Sequence, residues 1–374
     1  MKRAIYIYGL IFLVFSLPFK VSAFTPFSEE FSLYGYGLFR FCIAGKENPR
    51  GLPFGKDCLN NGSFSQLLLA PFFQFKKGNF RVLFESEIMW APEFEIFGKI
   101  EKEENVEVAG FGEIDFPYVF AEYEFHKLFT IRAGKFLLPM GLYQELRDAA
   151  PSYLFLFLPK VYEKWIFGTK YAERFFPKYD VGLQARGETD YLIYALFIGN
   201  GRGVPANVAD ANSDKSFGGK LFGRIPHGDF RNSKIGFSFY TDKNSAKGDT
   251  RQTTLLGSLE IRRAFNFGGI ILLSEFGYTL IGKNEKSGIE ENISGITGYG
   301  LLSYQIPIKD WSIYPYIAYD FIDPGTKTEK DELQDIFGGV AINPSEELRI
   351  KAEFHYQKFD KSTWVLGLGL SYTF

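Results

Sequence analysis

WVLGLGLSYTF, residues 364–374, alternates large and small side chains to its last position. Trp364, Leu366, Leu368, Leu370, Tyr372 and Phe374 fall on one side of an extended chain. Val365, Gly367, Gly369, Ser371 and Thr373 fall on the other. A period of two marks a strand whose two faces meet different surroundings. The large apolar face is either the core of a water-soluble sheet or a surface in contact with lipid. The opposite end of the chain and the number of similar segments separate the two.

The first residues, MKRAIYIYGLIFLVFSLPFKVSA, carry Lys2 and Arg3, then an apolar run to about Phe19, then the small residues Val21, Ser22 and Ala23. That is the layout of a secretory signal peptide, residues 1–23, cleaved after Ala23. The alternative, an uncleaved anchor, is disfavoured because the run is short and broken by Pro18. No later stretch offers the roughly 18 uninterrupted apolar residues of a membrane helix. An exported protein without membrane helices is expected.

The remaining residues, 24–374, show no linker, low-complexity tract or break in composition. Thirty-nine glycines and 18% aromatic residues fit a β-rich chain. The formal net charge of −2 argues against a nucleic-acid partner, which calls for clustered excess Lys and Arg. The two cysteines, Cys42 and Cys58, fit a disulfide closing the loop between them in an oxidising compartment, or else two free thiols. Three scattered histidines and two cysteines give no metal-ligand spacing, so no cofactor is expected.

Upstream of the last strand, LRIKAEFHYQKF (348–359) places Leu348, Ile350, Ala352, Phe354 and Tyr356 on one face. Arg349, Lys351, Glu353, His355 and Gln357 fall on the other. Five consecutive polar positions on one face require water or a polar interior beside them. Similar segments recur back to SLYGYGLFRFCIAG at the start, sixteen in all. From the first strand onward their connections alternate long and short. The short ones include 76–79, 126–127, 187–190 and 343–347; the long ones include 46–62, 91–116, 139–178 and 201–215. Transmembrane β-barrels have this asymmetry, with short periplasmic turns and longer outer loops. Phe80 and Trp90, Trp311 and Phe321, and Trp364 and Phe374 each lie ten positions apart on one face. Ten tilted strand residues rise roughly 25 Å, the height of the apolar band between two aromatic girdles. The expected fold is all-β: a transmembrane antiparallel barrel of about sixteen strands, with no edge because the last strand closes on the first.

The terminal strand ending in Phe374 resembles the assembly signal of bacterial outer-membrane barrels. RAGKFLLPMGLYQELRDAAPSYLFLFLPKVYEKW (132–165) resembles the corresponding segment of the phosphate-selective porins, the porin O and porin P type. There a strand ending in Gly-x-Phe runs into Pro-x-Gly and an acidic residue; here these are Gly134, Phe136, Pro139, Gly141 and Glu145. The resemblance implies an outer-membrane location, surrounding outer-membrane lipid, a homotrimer, and a third long loop folded into the lumen as a constriction, here 139–178.

On the face opposite the apolar one the basic candidates are Arg40, Arg81, Arg132, Arg186, Lys220, Arg224, Lys234, Arg262, Arg349 and Lys351. The acidic candidates are Glu85, Glu87, Glu122, Glu124, Asp180, Glu260, Glu275, Asp320, Asp335 and Glu353. Ten of each departs from the phosphate-selective pattern, because rings of one sign set ion selectivity. Glu85, Glu87, Glu122 and Glu124 on the third and fourth strands oppose Arg132, Arg186, Lys220, Arg224 and Lys234 on the fifth to ninth. They form two walls with a field between them, or else pairs of solvated neighbours. The loop adds Glu145, Arg147 and Asp148 as constriction candidates. Its apolar run YLFLFLP (153–159) packs on the inner wall, forms a slide for an apolar solute, or enters a neighbouring subunit.

The expectation is a non-enzymatic porin, a water-filled channel for passive diffusion of small hydrophilic solutes and ions. The alternatives are a phosphate- or anion-selective porin or a hydrophobic-solute transporter. An enzyme barrel would need a nucleophile beside a positioned base, and His355 has no Ser-containing motif to pair with. A side-chain-filled structural barrel is disfavoured by the width of sixteen strands.

Overall fold

The computed structural model describes residues 30–45, 63–90, 113–147, 152–163, 175–201, 214–243, 251–282, 291–323, 325, 332–358 and 362–374. The expected leader 1–23 and Cys58 lie outside these. Sixteen antiparallel strands form one closed sheet. The first two are β1 (Phe31–Ala44) and β2 (Ser63–Lys77). The next two are each in two pieces, β3 (Phe80–Glu85 and Glu87–Trp90) and β4 (Glu113–Asp115 and Val119–His126). Then follow β5 (Phe129–Leu137), β6 (Tyr179–Glu188), β7 (Leu192–Gly199) and β8 (Ser216–Arg224). The second half comprises β9 (Lys234–Lys243), β10 (Arg251–Phe265), β11 (Gly268–Ile281) and β12 (Ile293–Ile308). It ends with β13 (Trp311–Asp323), β14 (Leu333–Asn343), β15 (Leu348–Lys358) and β16 (Ser362–Thr373).

Each strand pairs with its neighbours in sequence, and β16 closes on β1 with Phe39 opposite Leu370. Closure leaves no row of unpaired backbone groups, the condition for a sheet surrounded by hydrocarbon. The break in β3 at Ser86 lies beside Pro71 of β2, which has no N–H for the ladder. Ser86 N still donates to Pro71 O at 3.1 Å.

The alternation sorts side chains as expected. Trp364, Leu366, Leu368 and Tyr372 are exposed, whereas Val365, Gly367, Gly369 and Ser371 are buried. On β15, Ile350, Phe354 and Tyr356 face out, while Lys351, Glu353, His355 and Gln357 are buried on the inward face. Trp311 and Trp364 are both outward, in line with the aromatic spacing; the side chain of Trp90 lies outside the described residues. At one edge β4 and β5, β10 and β11, and β12 and β13 are each joined across two residues. At the other edge the connections include the long one after β5.

Candidate channel interior

The connection after β5 is irregular backbone, with two single 3-10 turns at Gln144–Leu146 and Lys160–Tyr162. Such a segment brings N–H and C=O groups that no ladder satisfies, and each needs a partner wherever it is buried. The inward-facing side chains of β9 to β15 supply those partners. Gly141 N donates to Ser238 Oγ at 3.0 Å, and Leu142 N to Glu275 Oε1 at 2.9 Å. Gly141 sits at φ +57°, and a Cβ there would overlap the Tyr162 hydroxyl, so the turn requires glycine. Leu156 N and Phe157 N donate to the two oxygens of Glu353 at 2.7 and 3.1 Å. Lys160 N donates to Asp320 at 2.8 Å, and Lys160 Nζ to Asp335 at 2.9 Å. In the other direction Lys351 donates to Phe155 O at 2.5 Å and Arg349 to Tyr153 O at 2.9 Å. Further on, Gln252 and Thr254 both donate to Phe175 O, at 2.8 and 2.5 Å.

These groups hold each other in turn. Glu275 also accepts from Ser258, Tyr299 and the Tyr162 hydroxyl. His355 lies between Asp335 at 3.0 Å and Glu353 at 3.1 Å. Burial works against the Lys160 ammonium, but the carboxylates of Asp335 and Asp320 outweigh it and raise its pKa. Burial, reinforced by Glu275, pushes the Tyr162 hydroxyl well up, so it stays a donor.

The apolar run 153–158 is buried throughout. A Cβ on Gly369 would overlap Leu156 Cδ1, and one on Gly367 would come within 2.6 Å of Leu156 Cδ2 and Phe157. The small residues of the last strand therefore form the seat for Leu156 and Phe157.

On the other side of the interior the charges meet differently. Glu145 lies between Arg186, at 3.2 Å, and Lys220. Burial would raise its pKa, but Lys220 and Arg186 outweigh it and hold the carboxyl down at about 2. Arg132 bonds Glu122 of the adjacent strand through two nitrogens at 3.1 and 3.0 Å, and its guanidinium lies 3.8 Å over the Phe120 ring. Arg81 also reaches Glu122, at 2.5 Å.

The expected acidic wall is therefore not assembled. Glu85 and Glu87 are buried, with Tyr36 reaching Glu85 at 3.4 Å. Glu122 is the direct cross-strand neighbour of Arg132 rather than its opposite across the interior. Glu124 is exposed beside an irregularity at the short-turn edge. Among the basic candidates, Lys234 pairs with Glu260 at 3.1 Å. Arg224 grips the Thr189 and Asp190 carbonyls, at 2.6 and 3.1 Å. Arg147 bonds Tyr162 O within its own connection, and Asp148 lies outside the described residues. Cys42 is fully buried, and its expected pairing with Cys58 lies outside the described residues.

The anchors Ser238, Gln252, Thr254 and Tyr162 were not singled out from sequence; the alternation of polar residues on the inward faces was their signal. Gly367 and Gly369 stood in the first stretch considered, but their tenant was not.

Neither a protein-family model nor a curated protein sequence matches the chain. Solved structures do. The anion-selective porin from Comamonas acidovorans has 11% identity over 92% of this chain and 99% of that one, with a TM-score of 0.58. OmpF of Salmonella typhi, in complex with daunomycin, has 12% identity over 92% and 97%, with a TM-score of 0.57. Outer-membrane expressed OmpT of Vibrio cholerae has 9% over 92% and 97%, with a TM-score of 0.56. At these identities the likeness is one of fold: the chain is a closed sixteen-stranded barrel of the kind seen in bacterial outer-membrane porins.

Proposed function

We propose that the protein is an outer-membrane porin, a water-filled channel for small hydrophilic solutes with a preference for anions. The segment 139–178 would lie in the lumen as its constriction. One observation carries the selectivity: burial sorts the charges. Of the ten inward acidic candidates, Glu85, Glu87, Asp180, Glu260, Glu275, Asp320, Asp335 and Glu353 are buried. Of the ten basic ones only Arg132 and Lys351 are buried. Arg40, Arg81, Arg186, Lys220, Arg224, Lys234, Arg262 and Arg349 keep contact with solvent. Several carboxylates are consumed in receiving the N–H groups of the inner segment, and the accessible surface left behind is basic. A charge-balanced sequence thereby yields a positive path, and rings of one sign are what make a pore selective.

Phosphate preference within this anion class, as the resemblance of residues 132–165 implies, and a homotrimer belong to the same proposal. The in-vitro folded OmpT of Vibrio cholerae, one of the barrels of similar fold, has been solved in a trimer form. Proteoliposome swelling tests the pore itself. Vesicles containing the protein are expected to swell with small uncharged sugars and to stop swelling as the sugar grows. Absence of swelling with every sugar would refute the open channel.

A further inference from the structure

We propose that the inward face of β1 to β4 is a binding track for planar aromatic carboxylates. The inference rests on the porin reading and names a solute class for that channel. The observation is a run of aromatic rings along one inner wall. Tyr34 of β1 is paired with Phe72 of β2, and Phe72 with Glu85 of β3. Glu85 N donates to Tyr118 O at 3.0 Å, carrying the same rung to the residue that precedes the second piece of β4. Tyr34 stacks on Phe72, their centroids 5.3 Å apart and their planes 1° from parallel. Phe72 lies 6.1 Å from Tyr118, and Tyr118 lies 6.3 Å from Phe120. Tyr36, 6.0 Å from Phe72, backs the run.

Parity puts these rings inside, because their chain neighbours Phe73 and Val119 are the exposed residues of the outer face. Tyr34 is nevertheless 39% exposed, and Phe72 and Tyr118 are only half-buried. On β12 to β14 the inward rings Tyr299, Tyr316 and Phe337 are all buried. Two of them, Tyr299 and Phe337, lie against Phe155 of the inner segment. Ring surface left open in a water-filled lumen is unfavourable until a solute covers it.

The charges beside the rings specify the rest of the solute. The carboxylates there are engaged: Glu85 receives the Tyr36 hydroxyl at 3.4 Å, and Glu122 lies between Arg81 and Arg132. Arg81 keeps 33% of its side chain exposed, and the field of its guanidinium reaches the Tyr34 hydroxyl. At the other end the Tyr118 hydroxyl donates to Glu145 O at 3.5 Å, which brings the run to the residue that Arg186 holds. A neutral sugar would leave these cations unmatched, and a small inorganic anion would leave the rings uncovered. An aromatic carboxylate answers both, with its ring on Tyr34 and Phe72 and its charge toward Arg81. Successive rings offer similar stacking positions, so each site binds and still releases, as conduction requires.

The test is a saturation-transfer NMR titration of the full-length protein in detergent with three probes. Benzoate carries both ring and charge, acetate the charge alone, and benzamide the ring alone. Benzoate is expected to reach half-saturation at a concentration at least tenfold lower than either of the others. The variant Tyr34→Leu/Phe72→Leu, which keeps apolar side chains, is expected to lose the advantage over acetate. Arg81→Gln is expected to lose the advantage over benzamide. Phe276→Leu, on the outer face, is expected to keep both. Equal binding of the three probes by the wild type, or a double variant that binds benzoate like wild type, would overturn the proposal. Heat-modifiable mobility on gels checks the folding of each variant, and chloride conductance on the same preparations keeps the pore separate. A barrel that selects benzoate but does not conduct would refute the channel alone. One that conducts but does not distinguish the probes would refute the track alone.

Discussion

The inward faces of β4 to β8 and of β9 to β16 follow the same alternation, yet their charges end differently. On the second wall Glu275, Asp320, Asp335, Glu353, His355 and Lys351 are buried in a network with residues 141–162. On the first, Arg186 and Lys220 keep contact with solvent and meet a single carboxylate from that segment, Glu145. On these two walls the charged side chains are thus either bonded to the connecting segment or left in contact with solvent. What decides is whether irregular backbone lies against them.

The hardest way to break this contrast is to remove an anchor. Glu353→Ala leaves Leu156 N, Phe157 N and the Tyr316 hydroxyl without their acceptor and His355 without one of its carboxylates. A loss of about 3 kcal/mol or more is expected in urea unfolding of the barrel. Wild-type stability in this variant would mean that the second wall is held by something else.

Filling the seat is the next test. Gly369→Leu places side-chain atoms where Leu156 now lies, since even a Cβ at this position would overlap Leu156 Cδ1. Overpacking of this kind costs about 1–3 kcal/mol, and the displaced segment is expected to change single-channel conductance as well. An unchanged conductance would separate the seat from the path.

The smallest effect concerns Glu145. Its carboxyl is held at about 2, below its ordinary 4.5, so its contribution is fully present above pH 4.5 and lost as pH falls through 2. Conductance and ion preference are expected to be insensitive to this group between pH 8 and pH 5. In Glu145→Gln, Lys220 and Arg186 lose their shared carboxylate, and anion preference is expected to rise modestly at neutral pH. A fall in anion preference would place Glu145 outside the path.

Much of this fold was legible in the sequence because a barrel strand declares its two faces residue by residue. The closing alternation of residues 364–374 identified the outward face, and connection lengths gave the two edges. Strand parity also placed Glu353, Arg186 and Lys220 on the inside. It could not tell their roles apart, since Glu353 and Glu122 occupy equivalent positions in their strands. The difference comes from residues 153–160, whose irregular backbone settles on one wall by hydrogen bonds between positions nearly two hundred apart in sequence. The same holds for Gly367 and Gly369, which alternation marks as small but whose purpose is set by Leu156. The expected acidic wall failed for a related reason. Sequence order put Glu122 and Arg132 on different walls, whereas the hairpin register sets them side by side.

The most direct test of the central claim is the reversal potential of single channels in a planar bilayer under a KCl gradient. Burial of the inward carboxylates predicts a potential of the sign set by chloride, reduced in Arg186→Glu/Lys220→Glu. A cation-selective or unselective channel would contradict the account, because it would mean that the buried carboxylates still face the solute path.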